Sequence, residues 1–117
     1  YSLSCLHALE HFGLGRYGDP INPNGHLIAL ENMIKLLKSG GFFYISIPLD
    51  KKNTVQFNAH RTFKPTWLLN LEIIKNNFNL ITFDYVDSSG KLFKNIKCSD
   101  NLPRLNYSCG IYSFIKI

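Results

Sequence analysis

Residues His26 to Pro48, HLIALENMIKLLKSGGFFYISIP, decide the fold. Leu27, Leu30, Ile34 and Leu37 recur at spacings of three and four. That period makes one apolar stripe and predicts a helix from about His26 to Lys38. Lys35 and Lys38 fall in its last turns, where positive charge suits the helix dipole. Gly40 and Gly41 supply the left-handed geometry that ends helices. The next six residues, FFYISI from Phe42 to Ile47, form an almost unbroken apolar run rich in β-formers. Such a run reads as a parallel strand covered on both faces, with Pro48 as its stop. Upstream, Tyr1 to Leu6 is a second short apolar run. Strand, helix and strand together predict a βαβ unit, right-handed by default.

Between the first strand and the helix stands the most unusual stretch of the chain. His7, Glu10 and His11 are followed by Gly13, Gly15 and Gly18, threaded with Arg16, Tyr17 and Asp19. In an open α/β sheet, ligands bind just beyond the carboxyl ends of the strands, so this is a candidate functional loop. Residues 20–25, PINPNG, are turn formers. Downstream of Pro48, Asp50 to Thr54 reads as loop. Val55 to Phe63, VQFNAHRTF, sets Asn58, His60 and Arg61 among apolar neighbours. Pro65 costs no hydrogen bond in a first helical turn, and a helix is expected from there to about Asn76. Asn79 to Val86 alternates as a strand, Asp87 to Gly90 turns, and Leu92 to Tyr107 has no regular pattern. Gly110 to Ile117 reads as a last strand. No helix separates the last two strands, so they are expected to finish the parallel sheet as an antiparallel pair.

At 117 residues the chain is at most one domain, and 45% hydrophobic content allows a packed core. The net charge of +5 comes from lysines scattered along the chain, which points to solvated faces rather than to nucleic acid. No apolar run is long enough for a transmembrane helix. Cys5, Cys98 and Cys109 show no CxxC spacing. Reduced thiols in a cytoplasmic setting are the reading; a Cys98–Cys109 bridge is the alternative.

The same elements resemble the C-terminal half of a class I S-adenosylmethionine-dependent methyltransferase. Ala8-Leu9-Glu10-His11 stands where that family ends its fourth strand, and Leu36 to Gly41, LLKSGG, stands before its fifth. His60, Phe63, Pro65 and Leu68 match its H-x-x-F-x-P-x-x-L pattern, and the family closes in an antiparallel hairpin. More narrowly, Leu6 to His26, LHALEHFGLGRYGDPINPNGH, and Phe57 to Arg61, FNAHR, resemble an uncharacterised methyltransferase-like family, a domain of unknown function. The resemblance implies a Rossmann-like α/β half-domain over 1–117, with parallel strands, crossover helices and a C-terminal antiparallel pair. The family's Gly-rich cofactor loop and ribose-binding acid would lie upstream of Tyr1. A strand at Leu3 to Leu6 would then belong inside an intact sheet, and the isolated chain, with that edge open, is expected to be marginally stable or to self-associate. A sharp monomeric unfolding transition would contradict that.

By the same resemblance the activity is methyl transfer from S-adenosylmethionine to an unknown small-molecule or glycan-type acceptor. Cys5, Leu6 and His7 would touch the cofactor. Arg16, Tyr17, Asp19, Asn58 and Arg61 would touch the acceptor. His11 and His60, with Glu10, are the candidate catalytic groups, because histidine titrates near neutral pH. His7, Glu10, His11 and His60 also resemble the divalent-metal set of some O-methyltransferases, and three imidazoles with one carboxylate would favour zinc, manganese or iron.

Other readings compete. His7, Glu10 and His11 could merely cap a strand and start a helix. The glycines could only permit turns, and Arg16 and Tyr17 could only brace Asp19. Gly13, Gly15 and Gly18 have GxGxxG spacing without the strand start or acid of a dinucleotide site. Cys5, Phe63 and Trp67 could be simple core residues. His7-x-x-Glu10-His11 also matches the H-x-x-E-H of zinc peptidases, with Glu72 as a third ligand, although the glycines leave no room for the long helix that motif needs. A non-catalytic, degenerate fold kept for interactions is the remaining class.

Overall fold

The computed structural model describes residues 2–6, 24–56 and 60–117. Strand β1 (Ser2–Leu6) pairs in parallel with β2 (Phe42–Leu49), and helix α1 (Gly25–Leu36) lies between them in sequence. A hairpin of β3 (Thr54–Gln56) and β4 (His60–Thr62) follows, then short helices α2 (Trp67–Asn70) and α3 (Glu72–Asn77). Strands β5 (Phe78–Val86), β6 (Leu92–Phe93) and β7 (Ser108–Lys116) complete the chain. The main sheet has five strands in the order β1-β2-β7-β5-β6. Strand β7 runs antiparallel to both β2 and β5, as the antiparallel terminal pair anticipates.

The register explains the burial. Phe43, Ile45, Ile47 and Leu49 alternate along β2, opposite Phe114, Tyr112, Gly110 and Ser108 of β7. Side chains alternate across a strand, so these share one face. Phe83 and Tyr85 of β5 extend it. Leu30 and Ile34 of α1, Leu68 of α2 and Ile74 of α3 join the same buried cluster. Phe42 and Tyr44 lie on the opposite face and are exposed. The Lys116 ammonium donates to the carbonyls of Ile34 (2.9 Å) and Leu37 (2.5 Å). The Ile34 carbonyl also accepts from the Leu37 amide at 3.2 Å, so Lys116 adds a second bond there and ties the C-terminus of α1 to β7.

Several boundaries differ from the sequence reading. Strand β2 continues through Pro48 to Leu49. The Pro48 carbonyl accepts from the Phe63 amide at 3.1 Å, so its nitrogen faces that side and away from β7. The β2–β7 ladder therefore loses no donor there. Helix α1 ends at Leu36 because Leu37 turns extended, at φ −97° and ψ 130°; Gly40, at φ +83°, makes the turn that follows. The expected helix from Pro65 to Asn76 is broken at Leu71, again extended at ψ 130°. Leu68 before the break and Ile74 after it are both buried in the core. All three cysteines are thiols, so Cys98 and Cys109 are not bridged. Among the described residues no helix is long and apolar enough to cross a membrane.

At Gly110 the chain has no room for a side chain. A Cβ there would lie 2.6 Å from Leu49 Cδ1 and 3.1 Å from both Phe83 Cε1 and Tyr112 Cε1. Gly110→Ala is expected to destabilise the chain by about 1–3 kcal/mol through overpacking. Urea denaturation checks this, and an unchanged midpoint would show that the contact yields freely.

Candidate functional site

The sheet brings three separate segments to one edge. A crossover helix runs back across its sheet, so α1 begins at the edge where β1 and β2 end. His26 sits in the first turn of α1. Asn53 and Thr54 come just after β2. Phe63 is pinned beside the end of β2 by a parallel bridge to Leu49, where its carbonyl also accepts from the Asp50 amide at 2.9 Å. Together with Arg61, Thr62 and Trp67 these residues line a cleft of about 180 Å³. It lies beyond the carboxyl end of a parallel strand, where α/β sheets take their ligands.

One wall is aromatic. Phe63 and Trp67 stack at 4.2 Å between centroids, with 24° between planes. The His26 ring joins them, 5.7 Å from Trp67 and 5.9 Å from Phe63. The other wall is polar. Arg61 is buried, with 3% of its surface exposed. The Thr54 and Thr62 hydroxyls hydrogen-bond each other, and the Asn53 carbonyl oxygen accepts from the Lys64 amide at 2.8 Å. That bond leaves the Asn53 NH₂ group, two donors, for other partners.

His26 is the anomaly. Its Nδ1 is buried and has no hydrogen-bond partner among the described residues. Burial, and secondarily the Arg61 charge, lowers its pKa to about 4. At neutral pH it is an uncharged imidazole, so Arg61 is the cleft's one ionised lining group among the described residues. Any buried polar atom lacking a partner is costly, and such atoms concentrate where something else is to be bound.

Of the residues singled out from sequence, Arg61 lines this cleft, and His60 opens β4 next to it in the chain. Leu6 ends β1 at the same edge of the sheet and is 60% exposed, whereas Cys5 is buried in the core. His7, Glu10, His11, Arg16, Tyr17, Asp19 and Asn58 lie outside the described residues. Among the described residues no group of three or more His, Cys, Asp or Glu could hold a metal ion. The sequence reading missed His26 and favoured packing over a ligand platform for Trp67 and Phe63. The available signal was topological: the first turn of a crossover helix faces the same edge as the segment after the next strand.

The lowered pKa carries a stability consequence. Between about pH 6.5 and 4 the unfolded chain protonates His26 and the folded chain does not. Stability is therefore lost as pH falls through that window. His26→Gln should flatten this part of the pH profile in urea titrations, and the imidazole resonance of His26 should titrate near 4. A midpoint near 6.5 would refute the buried, neutral state.

No curated protein and no solved structure matches the chain. The family described as Caenorhabditis protein of unknown function, DUF268, matches residues 2–99. That span takes in β1, α1, β2 and every described residue of the cleft, and the chain belongs to this family.

Proposed function

We propose that the chain is a methyltransferase-like domain that transfers a methyl group from S-adenosylmethionine to a small acceptor seated in the His26–Arg61–Trp67 cleft. The observation that carries this reading is the cleft's position, at the carboxyl end of the parallel pair β1–β2 joined by crossover helix α1. The antiparallel β5–β7 pair also agrees with the methyltransferase resemblance. Ligand pockets for drug-sized molecules run to about 300–1,000 Å³. A cleft of about 180 Å³ is too small for a whole nucleoside cofactor and suits one acceptor ring.

The exposed apolar Leu6, at the end of β1, fits contact with a nucleoside-sized cofactor; buried Cys5 lies beneath it. When bound, S-adenosylmethionine supplies an electrophilic methyl group on a sulfonium. The chain's own residues would bind and orient the acceptor. The Phe63–Trp67–His26 wall would keep water from one face of the acceptor. Such positioning supplies much of the catalysis of an in-line displacement. An oxygen acceptor must also lose its proton. His26, with its pKa near 4, is too weak a base for that near neutral pH. His60 or His11 would take the proton instead.

The test is binding and transfer of radiolabelled S-adenosylmethionine by the full chain, with a panel of small hydroxylated acceptors. Leu6→Asp should weaken cofactor binding. Either His60→Ala or His11→Ala should lower transfer by roughly 10²–10⁴-fold with cofactor binding intact, the usual range for loss of a general base, and the one that does so identifies the base. A chain that binds no S-adenosylmethionine would overturn the reading.

A further inference from the structure

We propose that the cleft binds an uncharged planar ring whose edge carries an N–H beside a carbonyl, the edge against Asn53 and Thr54 and the face against Trp67. This deepens the acceptor-site reading and rests on it only for the reaction, not for the binding.

Three observations select that ligand chemistry. The first is charge. Among the described residues no Asp or Glu lines the cleft. The Arg61 guanidinium is already engaged within the fold. The His26 imidazole is uncharged at neutral pH. The described lining therefore holds no open charge for an ion to balance, and an unbalanced ion is costly to desolvate. The second is shape. Trp67 is half-buried and stacks at 4.2 Å on the buried Phe63, with the His26 ring 5.7 Å away. An indole backed in this way offers a fixed, flat surface to a ring face. The third is the direction of the hydrogen bonds. The Thr62 hydroxyl donates to the Lys52 carbonyl at 3.4 Å. A hydroxyl has one proton, so in the Thr54–Thr62 pair Thr54 is the donor. The Thr54 proton is thus spent, and its oxygen keeps a lone pair to accept with. Asn53 is the reverse: its carbonyl oxygen takes the Lys64 amide, and its NH₂ keeps two donors. These neighbouring residues, both exposed, set donors and an acceptor along one rim of the cleft. The complement is a carbonyl for Asn53 and an N–H for Thr54, and a ring that carries both is a cyclic amide. Two sources share this chemistry: a free heterocycle and a base within a nucleic acid.

Trp67 is the chain's only tryptophan, so its emission reports the cleft directly. The full chain, without S-adenosylmethionine, is titrated separately with uracil, dimethyluracil, toluene, piperidone, orotate and a short uridine oligonucleotide. Saturable change of emission with uracil is expected. Dimethyluracil, methylated on both nitrogens, has no N–H; toluene has no polar edge; piperidone carries the cyclic amide on a puckered ring. Each should bind at least about tenfold more weakly than uracil, the loss that follows when a hydrogen-bond partner or a stacked face is missing. Orotate, which is uracil with a carboxylate, should bind no more tightly than uracil. The oligonucleotide separates the sources: tighter binding than uracil supports the ring as part of a nucleic acid, weaker binding supports a free heterocycle. Asn53→Asp keeps the acceptor for Lys64 and removes both donors. It should weaken uracil by about tenfold and leave toluene unchanged. Thr54→Ala should weaken uracil similarly, and Thr54→Ser should restore it. Equal binding of any of the three analogues, tighter binding of orotate, uracil binding unmoved by Asn53→Asp and Thr54→Ala, or no saturable change with uracil would overturn the proposal. Uracil binding by a chain that binds no S-adenosylmethionine would sink methyl transfer and leave this inference standing. S-adenosylmethionine binding by a chain blind to uracil would do the reverse.

Discussion

The pairing of β7 on both of its sides holds the sheet together. It takes β2 over eight register positions, from Phe42 opposite Ile115 to Leu49 opposite Ser108, and takes β5 from Phe78 to Val86. Without it, β1 and β2 would be one parallel pair and β5 and β6 a separate ribbon. Two-stranded pieces are marginal in water at best. Its residues Tyr112 and Phe114 are fully buried, and Tyr112 donates its hydroxyl to the Pro65 carbonyl at 2.6 Å. The strand therefore also anchors the entry to α2, and so the placement of Trp67 in the cleft wall. Cys98 donates to the same carbonyl at 3.1 Å, and burial lifts its thiol pKa to about 12. It acts as a half-buried hydrogen-bond donor, far from thiolate chemistry.

Much of this architecture was legible because two periods dominate the chain. The stripe Leu27, Leu30, Ile34 and Leu37 announces α1, and the run Phe42 to Ile47 announces β2. Both are local patterns that tertiary packing reinforces. The misses have non-local causes. Whether Pro48 ends a strand depends on which neighbour its missing N–H would face, and Phe63 lies fifteen residues on. The break at Leu71 has no signal in helix propensity, and Leu68 and Ile74 on either side of it are both buried. The two-residue β6 is held by its partner and has no pattern of its own.

Of the site, less was legible. FNAHR drew attention to Arg61, and what the structure adds is that Arg61 lines a cleft. His26 escaped because a histidine beginning a helix looks ordinary in one dimension. Its environment is made by Phe63 and Trp67, 37 and 41 residues downstream. A neutral imidazole within an aromatic stack, beside a buried guanidinium, gives the cleft one aromatic wall and one polar wall.

The position of β7 in the sheet also has a consequence for synthesis. A ribosome extends the chain at about 5–20 residues per second. Strands β2 and β5 leave it well before their common partner, so each waits with an unpaired edge that other chains could occupy. Loop closure between β2 and β7 spans most of the protein, a pairing of high sequence separation and slow formation. The nascent chain is thus most exposed to misassembly in the interval just before its central strand appears, and chaperone engagement would be expected to fall in that interval.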